Sequence, residues 1–233
     1  MIRTVWETGS TNADMLALAR TGMGEGLWLR AERQTAGRGR QGRAWSSPTG
    51  NFSGSTLVRL RPADPGAASL ALVAGVALHE AVAAFHPAPD LQLKWPNDLL
   101  LTGAKLAGIL LERADDAVVV GMGVNLAHHP DLPERSTTSV AAQGTPTAAE
   151  PFAEALADAF GRWLDRWRGE GLAPVRARWL DRAHPLGTPL TARLPDGASM
   201  EGLFDGLDAD GALILRLASG ERRVIHAGDV FLL

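Results

Sequence analysis

Residues 91–125, LQLKWPNDLLLTGAKLAGILLERADDAVVVGMGVN, decide the fold class. Four apolar runs, Leu91–Trp95, Leu99–Leu101, Lys105–Glu112 and Val118–Asn125, have strand length, and Thr102-Gly103 marks a turn between the second and third. Working outward, Ile2–Glu7, Leu27–Glu32 and Phe52–Leu60 also read as strands. Ser10-Thr11-Asn12 offers N-cap chemistry for a helix that ends near Gly22. Ala67–Phe85 is apolar on nearly all sides, which predicts a buried core helix. Phe152, Leu156, Phe160, Trp163, Leu164 and Trp167 form a helical stripe, with Thr147 and Glu150 at capping-box spacing before it, and a short helix follows over Val175–Arg182. Strands interleaved with long helices predict an α+β domain on a mixed β-sheet. From Leu186 the texture changes: turn signals at Pro195-Asp196-Gly197, Asp208–Gly211 and Ser219-Gly220 separate strand-like runs, predicting a small β-barrel or meander. The expected domains are therefore 1–185 and 186–233. Asp208–Gly211 lacks the spacing and distal glutamate of a calcium loop and reads as a hairpin turn.

Composition narrows the function. The chain has 233 residues, 45% of them hydrophobic, and a formal charge of −3, so it is no general electrostatic binder of nucleic acid. With no cysteine, a disulfide framework, a thiol nucleophile and a cysteine-built metal site are excluded. Met1–Trp6 carries Arg3 and no apolar run, and the uncharged stretch Ala67–Leu78 is too short to span a bilayer, so a soluble cytoplasmic protein without a membrane partner is expected. Of the 23 basic side chains only two are lysines, Lys94 and Lys105. In a chain that otherwise uses arginine, that pair suggests sites where a compact ammonium is needed.

Three segments can carry chemistry. Gly37-Arg38-Gly39-Arg40-Gln41-Gly42-Arg43-Ala44-Trp45 contains the glycine spacing of a dinucleotide fingerprint, but Ser46, Ser47, Pro48 and Gly50 follow where that fingerprint needs a helix. It reads instead as a loop whose backbone N–H groups and guanidinium forks wrap a polyanion, with Trp45 able to stack on a base. Lys94-Trp95-Pro96-Asn97-Asp98 continues through the Thr102-Gly103 turn to Lys105, and a hairpin there brings two ammonium groups to one cleft. Such a pair repels unless an anion lies between, and a phosphate is the natural guest; Asp98 could hold Mg²⁺ on it. Gly121-Met122-Gly123-Val124-Asn125 ends a strand with glycines that permit close approach of a ligand and an asparagine suited to an adenine edge. His128-His129 has no companions at metal spacing and is expected to face solvent.

Taken in order, these segments closely resemble biotin protein ligases over essentially the whole chain, including the C-terminal β region. The resemblance implies a class II synthetase-like mixed sheet packed with helices, an SH3-like β-barrel at the C-terminus, and an enzyme that uses MgATP to convert biotin to biotinyl-5′-AMP. That intermediate then passes its biotinyl group to one lysine of the biotin carboxyl carrier protein of acetyl-CoA carboxylase. By the same resemblance, Ser10, Thr11, Asn12 and Gln34 would bind the ureido ring, with Gly37, Arg38, Arg40, Lys105 and Gly108 completing the biotin site. Arg40, Arg43, Trp45, Lys94, Asn97 and Asn125 would bind ATP, Asp98 would hold Mg²⁺, and Lys105, Arg40 and Lys94 would be catalytic. Gln41 stands where many relatives have arginine. Ser10-Thr11-Asn12 begins almost at the first residue, so the resemblance is to monofunctional ligases without the N-terminal DNA-binding module, and no operator binding is expected. Homodimerisation through a strand edge is a further expectation. A lipoate or octanoate ligase of the same fold is the nearest rival, although its arginine-rich triple-glycine segment and accompanying histidine are not seen. An RNA-binding module built on the Arg38–Arg43 loop is the rival from another class; it needs a wider basic surface and stacking aromatics, and the chain has no tyrosine. A non-catalytic biotin sensor would dispense with Lys105.

Overall fold

The computed structural model describes residues 1–133 and 135–232. Its main sheet has seven strands: β1 (Ile2–Thr8), β2 (Trp28–Gln34), β3 (Phe52–Arg59), β4 (Leu91–Lys94), β5 (Asp98–Leu101), β6 (Ala104–Ala114) and β7 (Ala117–Val124), in the order β1-β2-β3-β7-β6-β5-β4. β1 and β2 run parallel and every other neighbouring pair is antiparallel, so the sheet is mixed as expected. Helix α1 (Thr11–Arg20) lies on one face, while α2 (Leu70–Phe85), α3 (Ala149–Glu170) and α4 (Leu172–Leu180) pack together on the other.

Strand alternation explains the two faces. On β7, Val118, Val120, Met122 and Val124 enter the large core with α2 and α3, whereas Ala117 and Val119 meet Met15 and Ala19 of α1. Continuing along that α1 face, positions 121 and 123 are glycines, and Gly108 of β6 lies opposite Gly123. The face is therefore apolar at one end and stripped to backbone at the other, which leaves a hollow beside the N-terminus of α1.

α2 and the preceding 3₁₀ turn form a helix over Ala67–Phe85 that is long and apolar enough by composition to cross a membrane, but 67% of its apolar window is buried inside this protein. It is the core helix the sequence predicts. The capping box is not formed: α3 starts after Ala148 with no side-chain cap, and the Thr147 hydroxyl donates to the Thr145 carbonyl. α4 begins at Leu172, three residues before the expected start.

The C-terminal region forms a second, antiparallel sheet of β8 (Pro189–Arg193), β9 (Ser199–Leu207), β10 (Leu213–Arg216), β11 (Arg222–Ile225) and β12 (Asp229–Leu232), ordered β11-β10-β9-β8-β12. Among the described residues, the outer strands β11 and β12 do not pair with each other. Asp208 makes the β9–β10 turn, its carboxylate accepting from the backbone N–H groups of Asp210 and Ala212, as expected for a hairpin. Trp95 ties the two sheets together by donating from Nε1 to the Gly211 carbonyl at 3.1 Å.

Candidate active site

One cavity gathers Ser10, Thr11, Asn12, Gln34, Arg38, Arg40, Arg43, Trp45, Lys94, Asn97, Asp98, Lys105 and Gly108. Asp229, Val230 and Phe231 close it from β12, and Arg135 adds a further cation to its wall.

Its neutral end is built at the start of α1. Ser10 is the N-cap residue but its side chain makes no cap bond, which leaves the hydroxyl for the cavity. Gln34 Oε1 accepts from the Thr11 backbone N–H at 2.8 Å, and Gln34 Nε2 donates to Ser47 Oγ at 2.8 Å. Behind them, Ser55 Oγ lies 2.8 Å from Thr11 Oγ1 and 2.6 Å from Asn12 Oδ1. The glycines of β7 are required by this packing: a Cβ on Gly121 would sit 1.9 Å from Asn12 Oδ1, and one on Gly123 would sit 2.4 Å from Trp45 Nε1. The close approach expected of a ligand at these glycines is thus made by the protein's own Asn12 and Trp45.

The cationic end depends on strand register. Type I′ geometry at Thr102 and Gly103, both with positive φ, closes the β5–β6 hairpin. A bulge then pairs Leu99 with Ala107 but Leu100 with Lys105, so Leu106 is the extra residue. Without it Lys105 would share the core-facing side of Ala107; the bulge turns the ammonium into the cavity. Lys94 arrives from β4, so three strands rather than one hairpin bring the lysines together.

The anion between them is internal. Asp98, between the two lysine-bearing strands, reaches Lys105 Nζ at 2.5 Å and Lys94 Nζ at 3.4 Å. Burial pushes the Asp98 carboxyl up, but the Lys105 and Lys94 charges together outweigh burial and hold it below the usual carboxylate range. Lys105 moves down from its ordinary value because burial outweighs the pull of Asp98. Lys94 also donates to the Val230 carbonyl at 2.7 Å. Asp98 is already engaged by two ammonium groups, and the described residues contain no cluster of three potential metal ligands, so a Mg²⁺ here would take most of its shell from phosphate oxygens and water.

The glycine–arginine segment is a self-bonded hairpin rather than an open loop. Gly39 N–H donates to Arg43 O at 2.7 Å and Trp45 N–H to Gly37 O at 2.9 Å, with Gln41 and Gly42 at positive φ at the tip. Those two backbone donors are engaged within the hairpin, and the guanidiniums of Arg38, Arg40 and Arg43 line the cavity. Arg40 donates to Asn97 Oδ1 and Gly228 O, and Arg43 pairs with Asp229 at 2.7 Å. Gly37 stands behind the cavity wall, where a Cβ would be 2.5 Å from the Trp45 carbonyl. Asn125 is not brought to the cavity: it is buried, and its Nδ2 donates to the Thr138 carbonyl of the returning 136–140 segment. His128 and His129 are exposed as expected.

Sequence reasoning did not single out Ser55, Glu112, Arg135 or the β12 residues. Ser55 had a signal, since Ser53-Gly54-Ser55-Thr56 interrupts an otherwise apolar strand with small polar residues. Asp229 had none, because its contact with Arg43 spans 186 positions.

A hollow with neutral hydrogen-bonding groups at one end and four or more cations at the other suits an elongated molecule with a polar neutral head and an acidic tail, placed beside phosphates. Comparison with known proteins agrees. The model of the biotin/lipoate A/B protein ligase family matches residues 18–126, and that of the biotin protein ligase C-terminal domain matches residues 186–233. A biotin–[acetyl-CoA-carboxylase] ligase from Paracoccus denitrificans is 46% identical, covering 96% of this chain and 97% of the relative. One of the same name from Mycobacterium tuberculosis is 37% identical over 97% of this chain and 86% of its own. The structure of an Aquifex aeolicus biotin protein ligase in complex with biotin and ATP shares the fold, with a TM-score of 0.88 over 100% of this chain and 99% of that one, at 23% identity. This chain belongs to the biotin protein ligase family.

Proposed function

We propose that the protein is an ATP-dependent biotin–[biotin carboxyl carrier protein] ligase whose acceptor is the carrier protein of acetyl-CoA carboxylase. The observation that carries this is the single cavity joining the Ser10–Thr11–Gln34 pocket to the Lys94–Lys105–Arg40 cluster. Biotin's ureido ring binds in the first and its carboxylate reaches the second. That carboxylate attacks the α-phosphorus of ATP, a P–O bond forms as the bond to the β,γ-pyrophosphate breaks, and biotinyl-5′-AMP and pyrophosphate result. A carrier lysine in its free-amine form then attacks the acyl carbon, releasing AMP and a proton.

Two anions must meet in the first step, and Lys105, Lys94 and Arg40 lower that repulsion in a site partly closed to water. Arg43 and Trp45 serve the nucleotide, and Asn97 holds Arg40 in place. Gly108 keeps the floor low beneath Lys105, whose Nζ lies 3.3 Å from where a Cβ would be. We give Asp98 the task of holding both lysines, with Mg²⁺ entering as part of the nucleotide substrate. Residues 1–185 form the catalytic domain and 186–233 the β domain that closes the cavity. Because the reaction consumes ATP we place it in the cytoplasm, and β1, an outer strand, is the edge at which a homodimer would form.

Incubating the protein with biotin and MgATP, then analysing the bound fraction by mass spectrometry, tests this reading. Biotinyl-5′-AMP is expected, and transfer to a carrier protein should follow. A lipoyl or octanoyl adenylate formed in preference would select the rival acyl ligase.

A further inference from the structure

Behind the Thr11 hydroxyl, Asn12 leads to two polar groups for which the catalytic account has no use: Ser55, which is fully buried, and Glu112 of β6. The hydrogen-bonded chain these three form has only one consistent direction. Glu112 Oε2 lies 2.9 Å from Asn12 Nδ2, while the Leu110 carbonyl is on the same side at 3.5 Å. A carboxylate and a carbonyl only accept, so the amide nitrogen must face them, and Asn12 Oδ1 must face Ser55. Ser55 therefore gives its one proton to Oδ1, at 2.6 Å. Ser55 then has no proton for the 2.8 Å contact between the two hydroxyls, so the one Thr11 proton goes either to Ser55 Oγ or to Gln34 Oε1. The other neighbour of Thr11 Oγ1 is Gln34 Oε1 at 3.1 Å, also an acceptor. Arg38, 3.4 Å from Glu112 Oε1, sets a positive charge beside the acceptor at the chain's origin.

We propose that Glu112 and Ser55 are positioning residues that, through Asn12, commit the Thr11 proton to the protein and leave Thr11 Oγ1 a pure acceptor toward the cavity, selecting ligands that present an N–H there. This rests on the biotin-ligase reading, in which that N–H belongs to the ureido ring. A hydroxyl that could rotate would accept from an N–H or donate to an oxygen with little preference; one held by a polarised chain rejects the oxygen, because two lone pairs would face each other.

The test compares biotin with its two cyclic carbamate analogues, in each of which one ring N–H is replaced by oxygen. The readouts are calorimetric affinity and KM in adenylation. The wild-type protein should bind one carbamate on the order of 10⁴-fold more weakly than biotin, the scale on which a site built to hydrogen-bond a substrate group rejects an analogue lacking it. Glu112→Met removes the anchoring acceptor, lets the Asn12 amide turn over and allows the whole chain to reverse. Discrimination should fall to within a few-fold, with KM for biotin raised about tenfold and KM for ATP unchanged. Glu112→Gln keeps an acceptor and should restore discrimination. Ser55→Ala removes a single buried oxygen, so it tests the chain even if Glu112→Met does not fold, and it too should lower discrimination. Wild-type selectivity retained in Ser55→Ala or in folded Glu112→Met would overturn the chain, as would loss of biotin and carbamate binding in equal proportion. A wild-type protein that does not bind biotin at all would instead overturn the functional reading, and this inference with it.

Discussion

The two ends of the cavity solve the burial of polar groups in opposite ways. At the neutral end, Thr11, Asn12, Gln34 and Ser55 satisfy one another through hydrogen bonds within the main sheet and α1, with Ser47 of the loop before β3 completing Gln34. At the cationic end, Lys94, Lys105, Arg40 and Arg43 are held by Asp98, by Asp229 and by main-chain oxygens, and part of that set comes from the second sheet. A neutral network is complete without its ligand and gains selectivity from fixed directions. A cationic cluster is complete only while internal anions balance it, so its chemistry depends on charge brought by the substrates.

Removing a charge should therefore cost far more turnover than crowding the neutral end. Lys105→Ala is expected to slow adenylation by about 100-fold or more, the scale for loss of one transition-state charge stabiliser, with KM for biotin changed much less. Single-turnover formation of the adenylate measures this, and an unchanged rate would break the distinction between the ends. Gly121→Ala should act on the other end. Its Cβ would fall 1.9 Å from Asn12 Oδ1, forcing that amide to move. A biotin affinity about tenfold weaker and a stability loss of about 1–3 kcal/mol, typical of overpacking, are expected from calorimetry and denaturant titration. A rate constant for the chemical step that fell as far as in Lys105→Ala would erase the contrast.

The smallest effect concerns acid, and separates the site from the packing behind it. His79 and His184 are each lowered to about 4, mainly by burial, with Arg182 next for His79 and Lys94 next for His184. A base held below its unfolded value near 6.5 favours folding fully above that pH, and the contribution is lost as pH falls from about 6.5 toward 4. Asp98 shifts in the sense that keeps its contribution until pH falls through a value below the ordinary carboxylate range. Stability should thus begin to drop through the histidines before the Asp98 ion pairs are touched. Replacing His184 with Phe should flatten the pH dependence between 4 and 6.5 by up to about one proton, or ~1.4 kcal/mol per pH unit. A slope unchanged in that variant would remove His184 from the account.

Much of this was legible in the sequence because it is local. Apolar runs with turn residues between them gave the strands of residues 91–125, and the helical stripe from Phe152 to Trp167 gave α3. Lys94, Asp98 and Lys105 lie within twelve residues, close enough for spacing to imply one cleft. What escaped was set by register or by distant segments. The Leu106 bulge that turns Lys105 inward has no mark in the residue types around it. The 136–140 segment returns to bind Asn125 and takes it away from the cavity, and Asp229 reaches Arg43 from the far end of the chain. The sequence reading put a ligand phosphate between the lysines and gave Asp98 to Mg²⁺; the Asp98 carboxylate itself stands between them, on the intervening strand.

The central claim is that one cavity couples recognition of a neutral ureido head to activation of its carboxylate by ATP. Exchange of labelled pyrophosphate into ATP measures that coupling directly. The account predicts exchange that requires biotin, is not supported by lipoate or octanoate, and is lost in Lys105→Ala. Exchange that proceeds without biotin, or persists at the wild-type rate when Lys105 is removed, would contradict it.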